Sequence, residues 1–303
     1  MERVVYIHGV VPQGAVDHTT SYRAFRDGLS SRLDAEGHDA LPPLADSVTV
    51  EWGFPHPLAG DTASLARAQE VITRRVDAAT PSDRTSFSAL LFAPAIEPVR
   101  GLIQHTWADI VHYVSEKGKA RIRNVVWGRM LELIDPHEPT DLTVIGHSAG
   151  SLIAVDLLFW LFSHQRDDPD ELRAMGLDPD EVEAAHTNWR VRRLVTFGSP
   201  IAALLIRSTA VTDILAADGT LDAADLGLGT RCHDGQMPLW LNVWDRHDVL
   251  AYPVEPFYTG AEIHDLYPDH SDSLLGSHEA YWHADRVHRV IADAWGRQPG
   301  PLT

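Results

Sequence analysis

Cysteine is nearly absent from this sequence. Cys232 is the only one in 303 residues, which excludes an intrachain disulfide and a site with paired cysteine ligands. The longest apolar run, residues 152–162, is too short to cross a bilayer and contains Asp156. The first predicted strand begins at Val4, which leaves no room for a signal peptide. We therefore expect a cytoplasmic protein in a reducing compartment, without a transmembrane segment.

Positive charge is scarce too. The chain has 25 Lys and Arg residues against 43 Asp and Glu residues, for a formal net charge of −18. Nucleic-acid binding needs a positive surface, so we expect no nucleic-acid partner. Stable docking on an anionic membrane is disfavoured for the same reason. The basic segment 116–129 has two interpretations, a solvated helix face or a surface for transient contact with anionic headgroups.

Short apolar runs alternate with amphipathic helical patterns along the chain. Strands are predicted at residues 4–7, 48–52, 142–145, 194–197 and 239–244. Helices are predicted at residues 22–33, 107–114, 122–133, 149–162 and 287–294, with a break near Gly118. This alternation predicts an α/β fold, with a mostly parallel sheet and helices on both faces. We expect one domain over residues 1–303, with a lid or insert at 86–104 and an acidic helical insert at 163–190.

The most informative stretch is TVIGHSAGSLIAVDLLFW, residues 143–160. It places Ser148 in a G-x-S-x-G motif between a β-branched strand and an apolar helix, the context of a nucleophile elbow. Gly146 and Gly150 allow the strand and the helix to approach closely around a strained serine. Free N–H groups at the start of the helix, including that of Ala149, face developing negative charge. The other interpretation is a small-residue turn without chemistry.

A serine nucleophile needs a base and an acid that orients the base. In this type of fold the acid follows a later strand. Asp245 and Asp248 both follow the strand predicted at 239–244, and the residues alone leave both open.

The base is expected on a late loop before the last helix. His278 occupies that position, and His270 is a second loop candidate. His283 and His288 fall within the last helix, whose apolar positions are residues 287–294, and a histidine there serves the surface or the packing. Position therefore selects His278.

The end of the first strand offers the remaining part of such a site. His8 and Gly9 follow that strand directly, and the N–H of Val10 comes next. Paired with the N–H of Ala149, it would form an oxyanion hole. The other interpretation is an ordinary glycine turn at the end of a strand.

Four segments resemble lipases and esterases of the α/β-hydrolase fold: YIHGV, VIGHSAGSLIAVDLL, VTFGSP and SHEAYW. The motifs are most similar to those of DDHD-type intracellular phospholipases, through NVWDRHDVLAYPVEPF and HEAYWHAD. The resemblance implies a serine carboxylic-ester hydrolase that acts through an acyl-enzyme, without a metal or organic cofactor. It also implies Ser148, Asp248 and His278 as the triad, and it aligns Asp285 with the last Asp of the family name.

The apolar segment 86–104 bears on the substrate. As an acyl-chain wall it would place Leu90, Leu91 and Phe92 against the substrate and favour medium or long acyl esters over acetate. As a core-capping segment it would contact no substrate. Two other functions stay open: a thioesterase or small-ester esterase with the same triad, and a non-catalytic interaction protein. The His- and Asp-rich segment 262–273 matches no strong metal motif and is predicted to be a polar loop.

Overall fold

A six-stranded sheet occupies the middle of the structure. The computed structural model describes residues 1–9, 18–52, 116–163, 168–205, 209–217, 219–248, 250–269 and 277–296. The strands within these ranges are β1 (Glu2–Ile7), β2 (Ser47–Val50), β3 (Thr140–His147), β4 (Trp189–Phe197), β5 (Leu221–Asp222), β6 (Leu239–Val243), β7 (Tyr258–Thr259) and β8 (Glu262–Leu266). The large sheet has the order β2-β1-β3-β4-β6-β8, and all its neighbouring strands are parallel. The two-residue strands β5 and β7 form a separate parallel pair.

Helices cover both faces of the sheet, which confirms the predicted α/β class. They are α1 (His18–Glu36), α2 (Glu116–Leu131), α3 (Ala149–Phe162), α4 (Pro169–Ala174), α5 (Pro179–Asn188), α6 (Ile201–Leu205), α7 (Thr209–Ala216), α8 (Ser277–Ala280) and α9 (Asp285–Trp295). The core layer on one face includes apolar residues of α2 and α3, and the layer on the other includes those of α1 and α9. Among the helices of the described ranges, we find none both long and apolar enough to cross a membrane.

The patterning of the sequence explains these elements. All eight residues of β3 are buried, as a central strand covered on both faces requires. The helix predicted at 22–33 lies within α1, and its residues Tyr22, Phe25, Leu29 and Leu33 are fully buried on one side. The acidic insert forms α4 and α5. Asp168 and Asp178 cap them, each accepting a hydrogen bond from the backbone N–H two residues later.

Two expectations are corrected. Helix α2 passes through Gly118 without a break and ends at Leu131, before the predicted residue Leu133. The segment 262–273 is not only a polar loop, because its first five residues form the edge strand β8. Only Ile263 of that strand is buried, so β8 lacks the continuous apolar run that marks the inner strands.

Candidate active site

Parallel strands bring their carboxyl ends to one edge of the sheet, which we call the carboxyl edge. Strands β1, β3, β4 and β6 end there, at Ile7, His147, Phe197 and Val243. Polar residues buried on or just after these ends, or on α8, include His8, His147, Ser148, Ser199, Asp245, Asp248, Ser277 and His278. This edge therefore contains the predicted nucleophile, acid and base.

Ser148 lies in a strained turn between β3 and α3. Its φ is 53° and its ψ is −129°, a conformation that a residue with a side chain rarely adopts. The turn is held from the next strand, because the Ser148 N–H donates to the carbonyl oxygen of Phe197 at 3.0 Å. Such strain costs about 1–3 kcal/mol and persists where the surroundings enforce it, often at functional sites.

The predicted glycines explain how this turn fits against β1. A Cβ at Gly150 would collide with the carbonyl oxygens of Ile7 and His8. A Cβ at Gly9 would lie 2.8 Å from the Cβ of Ser148, and one at Gly146 would lie 2.6 Å from the Cα of Ser151. The start of α3 and the end of β1 therefore come as close as backbone atoms allow.

Asp248 and His278 form a buried pair. The Nδ1–H of His278 donates to Oδ2 of Asp248 at 2.8 Å, and the two residues are 7% and 3% exposed. Oδ1 of Asp248 accepts the backbone N–H of Leu250 at 3.0 Å, which fixes the plane of the carboxylate. With Nδ1 as the donor, Nε2 of His278 is left as the acceptor, the tautomer that a general base needs.

Asp245, the other acid candidate, has different partners. Its Oδ1 accepts the backbone N–H of His247 at 2.9 Å, and the Nδ1 of His247 lies 3.2 Å away. The structure thus pairs His278 with Asp248, and the catalytic role of that pair stays a prediction.

Two contacts join the Asp248–His278 pair to the Ser148 turn. Nε2 of His147, the residue before Ser148, donates to the carbonyl oxygen of His278 at 3.0 Å, and the two rings are 4.8 Å apart. Gly198 follows Phe197, whose carbonyl holds the turn. A Cβ there would lie 3.1 Å from Cε1 of His278 and 3.2 Å from Oδ2 of Asp248. The three predicted residues therefore lie on adjoining segments.

Aromatic rings pack around His147, beside the Asp248–His278 pair, and the sequence analysis assigned no role to them. The ring of His147 lies 4.6 Å from that of Trp282 and 5.2 Å from that of Phe197. Burial raises the pKa of Tyr281 far above its ordinary value, and the neighbouring Asp248 carboxylate raises it further. Tyr281 is therefore a neutral phenol beside Asp248. The only sequence signal was the pair Tyr281–Trp282, within the SHEAYW segment.

The structure describes only part of the segment that is predicted to form the oxyanion hole. The indole Nε1 of Trp52 donates to the carbonyl oxygen of His8 at 2.6 Å, and the two rings stack at 5.9 Å. This contact fixes the end of β1 to the residues that follow β2, and Ala149 is the first residue of α3. Val10 lies outside the described residues.

The other predicted residues lie partly outside and partly inside the described ranges. Leu90, Leu91, Phe92, the rest of segment 86–104 and His270 lie outside the described residues. His283 lies in the turn before α9, not in the helix. His288 is a buried packing residue of α9, whose Nε2 donates to the carbonyl oxygen of Trp282 at 3.1 Å. Asp285 pairs with Arg32 at the surface.

A second cluster of ionisable groups lies at the opposite edge of the sheet, where β1, β3 and β4 begin; we call this the amino edge. The guanidinium of Arg192 lies 3.1 Å from Asp141, 2.5 Å from Asp234 and 3.4 Å from Glu2. Asp141 also accepts from His233, 2.8 Å from the ring Nδ1. These contacts form an ion-pair network.

Two groups of possible metal ligands occur among the described residues, each with ligand atoms within 4.8 Å of one another. Asp141, Cys232 and Asp234 form the first, and both of its carboxylates already pair with Arg192. Asp245, His247 and Asp269 form the second, in which Asp245 and His247 bond to each other. The contacts present account for both groups as ion pairs and hydrogen bonds.

Neither a protein-family model nor any curated protein sequence matches this chain significantly. The site is therefore interpreted from its own geometry. A strained serine at the start of a helix, beside a buried carboxylate–imidazole pair, contains the groups that acyl transfer uses.

Proposed function

We propose that this chain is a serine carboxylic-ester hydrolase of the α/β-hydrolase fold, of the lipase or esterase type. One observation carries the proposal: Ser148, in a positive-φ turn between β3 and α3, follows His147, whose ring donates to the carbonyl oxygen of His278 in the buried Asp248–His278 pair. Strain, nucleophile, base and acid thus occur together at one edge of a parallel sheet, where α/β enzymes place their sites.

The reaction proceeds through an acyl-enzyme. The Oγ of Ser148 attacks the ester carbonyl while Nε2 of His278 takes its proton, and His278 then gives that proton to the leaving alcohol. Water, deprotonated by His278, attacks the acyl-enzyme and releases the acid and free Ser148. Asp248 keeps the Nδ1–H of His278 in place and offsets the charge of the imidazolium.

The start of α3 supplies stabilisation of the oxyanion. Helix α3 spans 14 residues, and its first N–H groups have no partners within the helix. The N–H of Ala149, paired with that of Val10, holds the oxyanion in this proposal. One such donor is typically worth about 10²- to 10³-fold in rate.

Covalent labelling tests the proposal directly. A fluorophosphonate probe followed by mass spectrometry is expected to identify Ser148 as the modified residue. Ser148→Ala is expected to lose both the labelling and the hydrolysis of p-nitrophenyl esters. Ser31→Ala is the control, because Ser31 is exposed on α1 and donates only to the carbonyl of Asp27. An adduct elsewhere, or full activity in Ser148→Ala, contradicts the mechanism.

A substrate series separates the other functions. Esters and thioesters of increasing acyl length distinguish a lipase-type enzyme from a thioesterase or a small-ester esterase. Hydrolysis that rises with ester chain length agrees with the proposal. Neither labelling nor hydrolysis of any member would favour a non-catalytic interaction protein.

A further inference from the structure

The loop between β6 and β7 carries Asp248, and its far end is held by a carboxylate that the proposed reaction does not use. Asp265, on edge strand β8, accepts the backbone N–H of Val254 at 2.9 Å on Oδ1 and at 3.0 Å on Oδ2. Its Oδ2 also accepts the backbone N–H of Glu255 at 2.9 Å. Both donors lie a few residues after Asp248 in the chain. One side chain therefore ties the end of this loop to the sheet.

A buried amide extends this tie into the sheet. Asn242 is the register partner of Asp265 on the neighbouring strand β6, and it is fully buried. Its Nδ2 donates to Oδ1 of Asp265 at 2.7 Å and to the carbonyl oxygen of Tyr252 at 3.0 Å. Its Oδ1 accepts from the hydroxyl of Thr196 on β4 at 2.8 Å. The hydrogen bonds thus run from β4 across β6 to β8 and reach the loop at two points.

Backbone hydrogen bonds also hold the short stretch between Asp248 and the residues that Asn242 and Asp265 contact. The N–H of Ala251 donates to the carbonyl of Asp248 at 3.1 Å, and the N–H of Tyr252 donates to the carbonyl of Ser199 at 3.1 Å. Pro253 has no N–H to contribute. The hydrogen bonds at Tyr252 and Val254 are therefore the first contacts that hold the loop after the turn that orients Asp248.

We propose that Asp265 and Asn242 are positioning residues for Asp248. They hold the loop so that Oδ2 of Asp248 stays on Nδ1 of His278. The inference rests on the proposed function, because it assigns a role to that same pair. An error of about 1 Å in such a contact can reduce the rate by about 100-fold.

The chemistry of Asp265 makes the claim specific. An ionised carboxylate offers only acceptors, and this one meets three N–H groups. An asparagine at this position keeps the shape but turns one acceptor into a donor, which faces at least one of these N–H groups. Asp265→Asn should therefore loosen the loop in part, and Asp265→Ala should loosen it more.

The test compares Asp265→Ala and Asp265→Asn with Asp222→Ala. Asp222 also accepts a backbone N–H, that of Ala224 at 2.8 Å, but it caps a different turn. We expect kcat to fall by about 10- to 100-fold in Asp265→Ala and less in Asp265→Asn, with KM changed less than about twofold. Asp222→Ala should change Tm alone.

A second measurement does not depend on catalysis. The Nδ1–H of His278, which donates to Asp248, can be observed by NMR in the full-length chain, with His278→Gln used to assign its signal. Asp265→Asn should shift or broaden this proton signal relative to the unmodified protein, and Asp222→Ala should not. An unchanged signal and an unchanged kcat in a folded Asp265 variant would overturn the inference. A changed signal in a protein without hydrolysis or labelling would instead overturn the proposed function and leave the positioning role in place.

Discussion

The two edges of the sheet place similar acidic groups beside different partners. At the amino edge, the carboxylates of Asp141 and Asp234 meet the guanidinium of Arg192, which stays charged at any physiological pH. At the carboxyl edge, Asp248 meets an imidazole, the one side chain whose ordinary pKa lies near neutrality. The first arrangement neutralises charge permanently, whereas the second can pass a proton to a neighbour.

Backbone strain separates the two edges as well. Among the described residues, the only non-glycine residues with positive φ are Ser148 at the carboxyl edge and Asp269. The amino-edge cluster contains neither. A buried ion pair by itself is therefore weak grounds for assigning function, whereas a strained serine beside a buried imidazole is stronger.

The sharpest test of this contrast replaces one aspartate at each edge with asparagine. Asp248→Asn should reduce kcat by roughly 10³- to 10⁴-fold with little change in Tm, since the amide no longer holds the correct tautomer of His278. Asp141→Asn should do the reverse, lowering Tm and leaving kcat unchanged. Ester hydrolysis and thermal unfolding measured on both variants check the pair. Loss of activity in Asp141→Asn at an unchanged Tm would remove the distinction.

The single thiol at the amino edge provides a second contrast. Burial raises the pKa of Cys232 to about 12, and the charge of Asp141 adds to that rise. At pH 8 its thiolate fraction should make iodoacetamide alkylation roughly 1,000-fold slower than for an exposed cysteine. Mass spectrometry over time, with and without denaturant, follows the reaction. Fast alkylation of the folded protein would mean that this edge opens.

Glycine replacements compare a tight and an open position. Gly150→Ala places a Cβ against two backbone carbonyl oxygens at the carboxyl edge, which should lower the unfolding free energy by about 3 kcal/mol and abolish activity. Gly128→Ala on α2 has open space, because apart from the neighbouring backbone of the helix itself no atom of the described residues lies within 4 Å of the added Cβ. It should stabilise the helix by about 0.5–1 kcal/mol and leave activity intact. Urea unfolding of both variants measures the difference, and equal stabilities would contradict the close approach.

The smallest expected effect lies in the ion-pair network. Arg192→Met removes the cation shared by three carboxylates, and we expect a loss of roughly 1–2 kcal/mol in unfolding free energy. The loss stays below that of a fully buried pair because Asp234 is solvent-exposed and Asp141 keeps its contact with His233. Activity should be unchanged. A gain in stability would show that the desolvation of these charges outweighs their attraction.

The sequence predicts the inner elements well because their residues are buried on all sides. The helix predicted at 149–162 coincides with α3, and the strand predicted at 142–145 lies within β3. Strand β8 escapes prediction because its place depends on pairing with β6 rather than on an apolar run. A local sequence pattern indicates whether a residue is buried, but it does not indicate which distant strand pairs with its own.

The candidate site divides in the same way. Its motif residues can be chosen from spacing, since the turn around Ser148 imposes glycines within a few positions. The contacts of His147, Tyr281 and Asp265 cannot, because each joins segments far apart in the chain. Position after the strand leaves both Asp245 and Asp248 open, the resemblance favours Asp248, and in the folded loop Asp248 is the one that meets His278.

Strand β4 contains one residue that has no pairing partner on the neighbouring strand β3. Leu142 pairs with Val191 and Thr143 pairs with Arg193, so Arg192 is the surplus residue of a bulge. Before it, odd-numbered positions such as Val191 face the core layer of α3; after it, even-numbered positions such as Leu194 do. Phe197 consequently faces the opposite layer. The bulge thus reverses the alternation of faces along β4: with Arg192 paired regularly, Phe197 would face the layer of α3 together with Val191, so the register set at the amino edge determines how β4 meets the turn at Ser148.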